Sequence, residues 1–281
     1  MKLPTEMIAA IEIGGQKYEI DLAAPLDISI PLEFNGPQPN AYGVERATSE
    51  PCAAGALVGD TRRGGSCNFE RYELIPHCSG THTEGVGHLT HERISIRDCL
   101  RDTFIPAVLL SIEPEPARET NETYSIKLAP ADPLITRQSL AAALDQIRNP
   151  KSEIRNPTAL IVRTLPNDAG KPARAYLDEI PPFFSTAAIE WMREKRFRHL
   201  LVDLPSIDRL FDEGRLSNHR LFWNVGAGEF AVTEKSFRHH TITELIFVPD
   251  EIPDGEYLLN LQIPPFMTDA APSRPVLFAI R

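Results

Sequence analysis

Cysteine is scarce in this chain: four thiols in 281 residues, at Cys52, Cys67, Cys78 and Cys99, with no Cys-x-x-Cys spacing among them. That excludes a zinc ribbon and a disulfide-stapled scaffold, and most of the thiols are read as small buried side chains. Positive charge is also in deficit, since 29 Lys and Arg face 39 Asp and Glu for a formal charge of −10. A net-negative surface attracts neither nucleic acid nor an anionic membrane, so the expected partner is a small-molecule substrate. No apolar run approaches eighteen residues, and Met1 to Glu6 lack a continuous apolar core. Neither a membrane span nor a secretory leader is indicated, and a cytoplasmic location is the expectation. Nucleophile signals are missing too. There is no Gly-x-Ser-x-Gly elbow, and Val225-Gly226-Ala227-Gly228 lacks the Lys-Ser/Thr of a phosphate loop.

What is present reads as one globular domain over residues 1–281, because Gly and Ser nowhere accumulate into a linker. Apolar, β-rich runs recur at Ile8 to Ile13, Phe104 to Ile112, Ala159 to Val162, Leu200 to Leu204, Ile242 to Val248, Tyr257 to Ile263 and Val276 to Ile280. Two helices are predicted between them, at Thr136 to Arg148 and Ser185 to Arg196, the second with Ala188, Trp191 and Met192 on one face and Ser185 or Thr186 as cap. The succession of strand, helix and strand around Leu160, Ala188 and Leu201 is a βαβ unit. The predicted class is therefore α/β, mixed, with a mostly β core. Asp254-Gly255 stands between two apolar runs as a tight-turn dipeptide does, predicting a C-terminal antiparallel hairpin over Ile242 to Ile263. The 25 prolines cluster at strand ends and mark loops. The repeat Ile147 to Pro150 and Ile154 to Pro157 is too short to be an architectural period and is read as a slip in a surface connection.

The chemistry concentrates in His77-Cys78-Ser79-Gly80-Thr81-His82-Thr83-Glu84-Gly85-Val86-Gly87-His88, which holds three of the eight histidines, a carboxylate and three glycines in twelve residues. Imidazole and carboxylate are ligands for zinc or manganese, and glycines let backbone approach the ion. Alternation along an extended segment places His82 and Glu84 on one side.

This segment resembles the signature His-x-Gly-Thr-His-x-Asp-x-Pro-x-His of the bacterial kynurenine formamidase (cyclase) family, to which isatin hydrolase is similar. Gly80-Thr81-His82 and His88 match. Glu84 replaces Asp, Val86 replaces Pro, and the first His falls one place early at His77, with Cys78 in its usual position. Either His77, by an extra residue in the loop, or Cys78 fills the first ligand position. Leu26-Asp27-Ile28-Ser29, the strand ending in Arg163-Thr164, and Leu201-Val202-Asp203-Leu204-Pro205-Ser206-Ile207-Asp208 extend the resemblance over most of the chain. It implies a cyclase-like fold with metal ligands His77, His82, Glu84, His219 and Glu244, one or two divalent ions of zinc or manganese, and His88 as general acid/base. His219 and Glu244 are twenty-five positions apart, about twice the family interval, so His240 competes with His219. His219 is preferred because Asp203 to Asp208 precede it at a family-like distance. Phe183, Phe184, Trp223 and Phe266 are candidate pocket aromatics, His91 and His199 read as surface or packing residues, and Asp208 reads as the first turn of a short helix capped by Ser206.

The reaction implied is hydrolysis of a non-peptide amide, an N-formyl aryl amine as in tryptophan catabolism or a cyclic amide, by water acidified on the metal, with His88 delivering a proton to the leaving amine. The alternative is a metal- or ligand-binding relative that keeps the fold without turnover. The resemblance also implies a homo-oligomer, dimer or tetramer.

Overall fold

In the computed structural model, which describes residues 6–147, 154, 156–177 and 179–280, most of the apolar runs gather into one nine-stranded sheet. Its strands are β1 (Leu26–Asp27), β2 (His82–Glu84), β3 (Phe104–Ile112), β4 (Ala159–Thr164), β5 (His199–Val202), β6 (Thr241–Glu244), β7 (Gly255–Asn260), β8 (Ala270–Pro272) and β9 (Val276–Ala279), in the order β8-β2-β6-β5-β4-β3-β7-β9-β1. Strands β3 to β6 pair in parallel and the flanking pairs are antiparallel. The class is mixed α/β, as predicted.

Every residue of β4 and β5 is buried. That is the reason Ala159 to Val162 and Leu200 to Val202 run apolar without alternating, since both faces of a parallel sheet are covered. Alternate residues serve two cores. Leu110, Val162 and Val202 pack with Leu140 and Leu144 of helix α2 (Arg137–Ile147) and with Ala188 and Met192 of helix α3 (Thr186–Glu194), whereas Leu109, Ile161 and Leu201 pack with Ile246, Val248 and Leu259 on the other face. Helix α3 begins at Ser185, whose Oγ accepts from the Ala188 amide at 3.0 Å, so Ser185 is the cap rather than Thr186. The unit β4-α3-β5 is the predicted βαβ, and β3-α2-β4 is a second one.

The hairpin assignment is corrected in detail. Strand β6 lies between β5 and β2, and β7 lies four strands away, between β3 and β9. Asp254 is not free to act as a hairpin-turn residue: it accepts from the Ser111 amide and hydroxyl at 2.7 Å each and pairs with Arg163 at 3.0 Å, which docks the start of β7 onto β3 and β4. The C-terminal antiparallel pair is β7 with β9, from Tyr257 opposite Ala279 to Asn260 opposite Val276. The cysteine reading is also corrected, because Cys78 and Cys99 are buried while Cys67 is exposed and Cys52 half-buried. Among the described residues no helix is long and apolar enough to cross a membrane. Met1 to Thr5, Arg148 and most of the Ile-Arg-Asn-Pro repeat lie outside the described residues.

Candidate metal centre

The site is assembled by strand register. His82 and Glu84 open and close β2, and the antiparallel pairing with β6 sets Glu244 opposite His82 and Ile242 opposite Glu84. Alternation then brings His82, Glu84 and Glu244 to one face of the sheet. Thr83 and Thr243 turn to the other face, where their hydroxyls meet at 2.8 Å. Thr81 staples the entry to β2, its hydroxyl donating to the Leu245 carbonyl and accepting from the Ile30 amide at 2.8 Å.

Upstream of β2, Pro76 starts a single helical turn, α1 (Pro76–Ser79). The turn absorbs the extra residue and swings His77 inward, so that its Nε2 lies 3.4 Å from Glu84 Oε2 and 3.4 Å from Asp269 Oδ2. Cys78 faces the interior instead, and burial, with Glu244 nearby, pushes its thiol up to about 11. It joins neither of the two ligand-like clusters among the described residues. Downstream, the short turn Val86–Leu89 presents His88, whose Nδ1 is 3.4 Å from Asp269 Oδ2 and 3.6 Å from Glu84 Oε2. His77 and His88 stack at 4.7 Å. Val86 is fully buried where the family signature has Pro, and a Cβ on Gly87 would fall 2.1 Å from the Ile94 carbonyl oxygen. Only glycine lets this turn lie against the Ile94 backbone.

The last imidazole arrives on helix α4 (Ser217–Trp223), whose leading residue Leu216 is left-handed at φ 47° and gives no side-chain cap. Asp208 supplies the cap from a distance: Oδ1 accepts from the Asn218 amide at 2.7 Å and Oδ2 from the His219 amide at 3.1 Å. Oδ2 also accepts from His219 Nδ1 at 2.6 Å. The short helix expected at Asp208 is absent; Ser206 Oγ takes the Asp208 amide in a turn, and the carboxylate is committed to α4. His219 Nε2 thereby reaches 2.9 Å from Glu84 Oε1 and 3.6 Å from Glu244 Oε1. His240 does not come to the cluster; it stacks on Phe237 at 4.6 Å and lies beside Phe222. His239 bonds the Cys99 carbonyl, His91 stacks on Phe230, and His199 is buried between Thr241 and Asp102.

Two sets of donor atoms result, His82 with Glu84 and Glu244, and His77 with His88 and Asp269. Glu84 lies between them, Oε1 toward His219 and Oε2 toward His77 and His88. Ring nitrogens are fixed by their outer bonds. His82 Nδ1 lies 3.0 Å from the Gly80 carbonyl, to which it donates, leaving Nε2 as a lone pair aimed inward 3.5 Å from Glu244 Oε2. The Ile207 amide holds Glu244 Oε1 at 3.0 Å. Burial works against the charge on Glu84, but His88 and His219 outweigh it and hold the carboxyl well below its ordinary range. Burial likewise opposes a charged His219, yet Glu84 and Asp208 raise it well above the usual imidazole value, and Glu84 raises His88. His77 and His88 hold Asp269 far down.

A divalent cation fits this set. His77 Nε2, His82 Nε2 and Glu84 Oε1 are buried without a hydrogen-bond partner, and the 2.9 Å approach of His219 to Glu84 Oε1 does not meet hydrogen-bond geometry. Buried polar atoms left this way are costly unless something else satisfies them. Mixed nitrogen and oxygen donors without thiolate suit zinc, manganese or similar ions.

Asp269 is the residue the sequence reading missed. Nothing in Met267-Thr268-Asp269-Ala270 marks it, and it arrives because β8 pairs with β2. Asp208 is visible in its motif, and Ser206 does take its amide, but the helix its carboxylate serves is α4 rather than a local one. Of the proposed aromatics, Phe183, Phe184 and Trp223 are fully buried, and only Trp223 touches the cluster, 5.5 Å from the His219 ring; Phe266 is exposed.

Residues 20–209 match the model of the family described as "Putative cyclase". No curated protein matches the chain in sequence. Among solved structures, the chain is similar to isatin hydrolase A from Ralstonia solanacearum, with a TM-score of 0.60 and 14% identity over 91% of this chain and 92% of that one. It is also similar to an isatin hydrolase bound to the product analogue thioisatinate (TM-score 0.58, 14% identity, 92% of each chain). A Bacillus stearothermophilus protein described as a "predicted metal-dependent hydrolase" has a TM-score of 0.54 and 18% identity over 91% of this chain and 98% of that one. At these identities the likeness is one of fold.

Proposed function

The chain belongs to the cyclase family, and from that membership and its histidine–carboxylate cluster we propose that it is a metal-dependent hydrolase of a non-peptide amide. The substrate class is an N-formyl aryl amine or a cyclic amide. The observation that carries this is that three ligand atoms are buried and unpartnered around one carboxylate: His82 Nε2 and Glu84 Oε1 in one donor set, and His77 Nε2 at 3.4 Å from the other oxygen of Glu84.

In this reading His82, His219 and Glu244, with Glu84 and His77, are the residues that would hold the ion. The two oxygens of Glu84 face different neighbours, Oε1 toward His219 and Oε2 toward His77. A divalent cation, zinc or manganese, supplies Lewis acidity there, polarising a carbonyl and making water acidic near neutral pH. The chain's own groups do the rest. Asp208 and the Gly80 carbonyl fix the His219 and His82 tautomers, so neither ring rotates or protonates at the wrong nitrogen. His88, a quarter exposed, stands on the solvent side of the cluster and moves a proton to the leaving amine. Asp269 holds His88 through Nδ1, leaving Nε2 for the substrate. Trp223 backs His219 and keeps water from that side.

The test is metal analysis of the purified protein followed by a panel of N-formyl aryl amines, cyclic amides and lactones. Bound zinc or manganese with turnover that a chelator abolishes and the ion restores is the expected result. Full metal without turnover on the whole panel would make the protein a metal-binding relative, and absence of affinity for either ion would remove the metal reading itself.

A further inference from the structure

We propose that Tyr124 is a positioning residue for the metal centre, acting on His219 through Asp208; this rests on the reading of His219 as a ligand. Tyr124 lies in a loop remote in sequence from the ligand motif. Its backbone is anchored where the Thr123 carbonyl accepts the Thr186 amide at 2.9 Å, at the first residue of α3. Its ring packs edge-on against Phe183 at 5.2 Å. The hydroxyl is thereby carried into the interior, to 2.5 Å from Asp208 Oδ1 and 3.0 Å from Asp212 Oδ2.

A phenol has one proton, and two carboxylates face it. The shorter contact takes that proton, so Asp208 is the acceptor and Asp212 Oδ2, at 3.0 Å, is the longer arm of the same shared proton. Asp208 then collects four donors: the Tyr124 hydroxyl and the Asn218 amide on Oδ1, and the His219 amide and Nδ1 on Oδ2. The carboxylate plane is fully determined by this saturation. Asp212, through Oδ2, accepts the Leu216 amide at 2.7 Å and so sets the left-handed turn into α4.

Deleting the hydroxyl leaves Asp208 Oδ1 with one donor and two buried carboxylates with nothing between them. The relief available is rotation of Asp208, which draws Oδ2 off His219 Nδ1. An imidazole that loses its orienting partner becomes a weaker ligand, and removing such partners costs ten- to a hundred-fold in metal affinity. Tyr124 acts one step further out, so the lower end of that range applies.

The experiment is Tyr124→Phe, which keeps the ring and its Phe183 contact. Zn²⁺ affinity of the metal-free protein is measured by chelator competition, the His219 Nδ1–H proton resonance by NMR, and thermal stability alongside. About tenfold weaker Zn²⁺ binding with a displaced Nδ1–H resonance is expected. A lowered melting temperature with unchanged affinity and an unmoved resonance would show that the hydroxyl only stabilises the fold, and overturns the proposal. If Tyr124→Phe does not fold, 3-fluorotyrosine at this position strengthens the phenol as a donor without changing its shape; an unmoved His219 resonance then overturns it equally. The underlying ligand reading fails separately, if His219→Ala binds Zn²⁺ like the unaltered protein.

Discussion

Glu84 Oε1 lies 2.9 Å from His219 Nε2, both side chains buried, in a geometry that makes no hydrogen bond. Because His219 Nδ1 is committed to Asp208, Nε2 is the nitrogen that faces the carboxylate oxygen, and without a positive charge between them the two would meet lone pair to lone pair. Two acceptors at that distance repel unless a positive charge sits with them. An off-axis proton serves that need poorly, and a cation coordinated by both serves it well. The contact is thus a reason for the cluster to bind metal that is independent of motif or family.

The first prediction follows from the register of β2 and β6. His82→Ala and Glu84→Gln each remove a donor from the inner face without touching the Thr83–Thr243 contact or the Thr81 staple behind it. Metal content by elemental analysis should fall sharply in both, with circular dichroism unchanged. Full occupancy in either variant would remove that residue from the ligand set.

His88 and Asp269 separate binding from chemistry. His88→Ala should retain the inner ion and lose about 10²-fold or more in turnover, the usual cost of deleting a general acid/base. Asp269→Asn, which keeps shape but weakens the hold on Nδ1, should lose less. If His88→Ala loses metal and activity together, the outer set of His77, His88 and Asp269 holds an ion instead.

How much of this was legible depended on whether the signal was local. Strand β4 announces itself by the apolar run Ala159 to Val162, and His82 and Glu84 share a face by alternation alone. Helix α3 carries its own cap in Ser185. Asp269 could not be found this way, because its place depends on β8 choosing β2 as neighbour, and no periodicity encodes which strands become adjacent. The hairpin error has the same origin. Asp254-Gly255 has turn composition, but Ser111 and Arg163 claim the Asp254 carboxylate and place β7 across the sheet from β6. Asp208 reads locally as a first-turn carboxylate of a short helix capped by Ser206, and its use as the cap of a helix ten residues on depends on a long-range approach that no local pattern encodes.

Gly87 gives a stability prediction tied to the site. A Cβ there would meet the Ile94 carbonyl oxygen at 2.1 Å, backbone that cannot move aside as a side chain would. Gly87→Ala should therefore destabilise by about 1–3 kcal/mol, the usual cost of forcing extra volume into a packed interior. The turn carrying His88 would shift with it, so activity should drop further than thermal stability explains. A melting temperature and turnover equal to the unaltered protein would mean that the loop accommodates the methyl group.

His240, the residue that competed with His219 in the sequence, predicts a pH dependence instead. Burial between Phe237 and Phe222 lowers its imidazole to about 3, with His199, Arg198 and Arg193 adding to the effect, whereas in the unfolded chain it titrates near 6.5. Between those values the unfolded chain binds a proton that the folded chain refuses. The contribution to stability is therefore complete above about 6.5 and is lost progressively as the pH falls toward 3. His240→Phe keeps an aromatic ring in the stack and leaves intact the Trp223 Nε1 bond to the main-chain carbonyl of residue 240. Measured on chelator-treated protein, so that metal loss in acid does not intrude, the fall in melting temperature from about pH 7.5 to about pH 5 should be smaller in His240→Phe than in the unaltered chain. Equal falls in the two proteins would mean that His240 accepts its proton in the fold as readily as in water, and that this end of β6 opens to solvent.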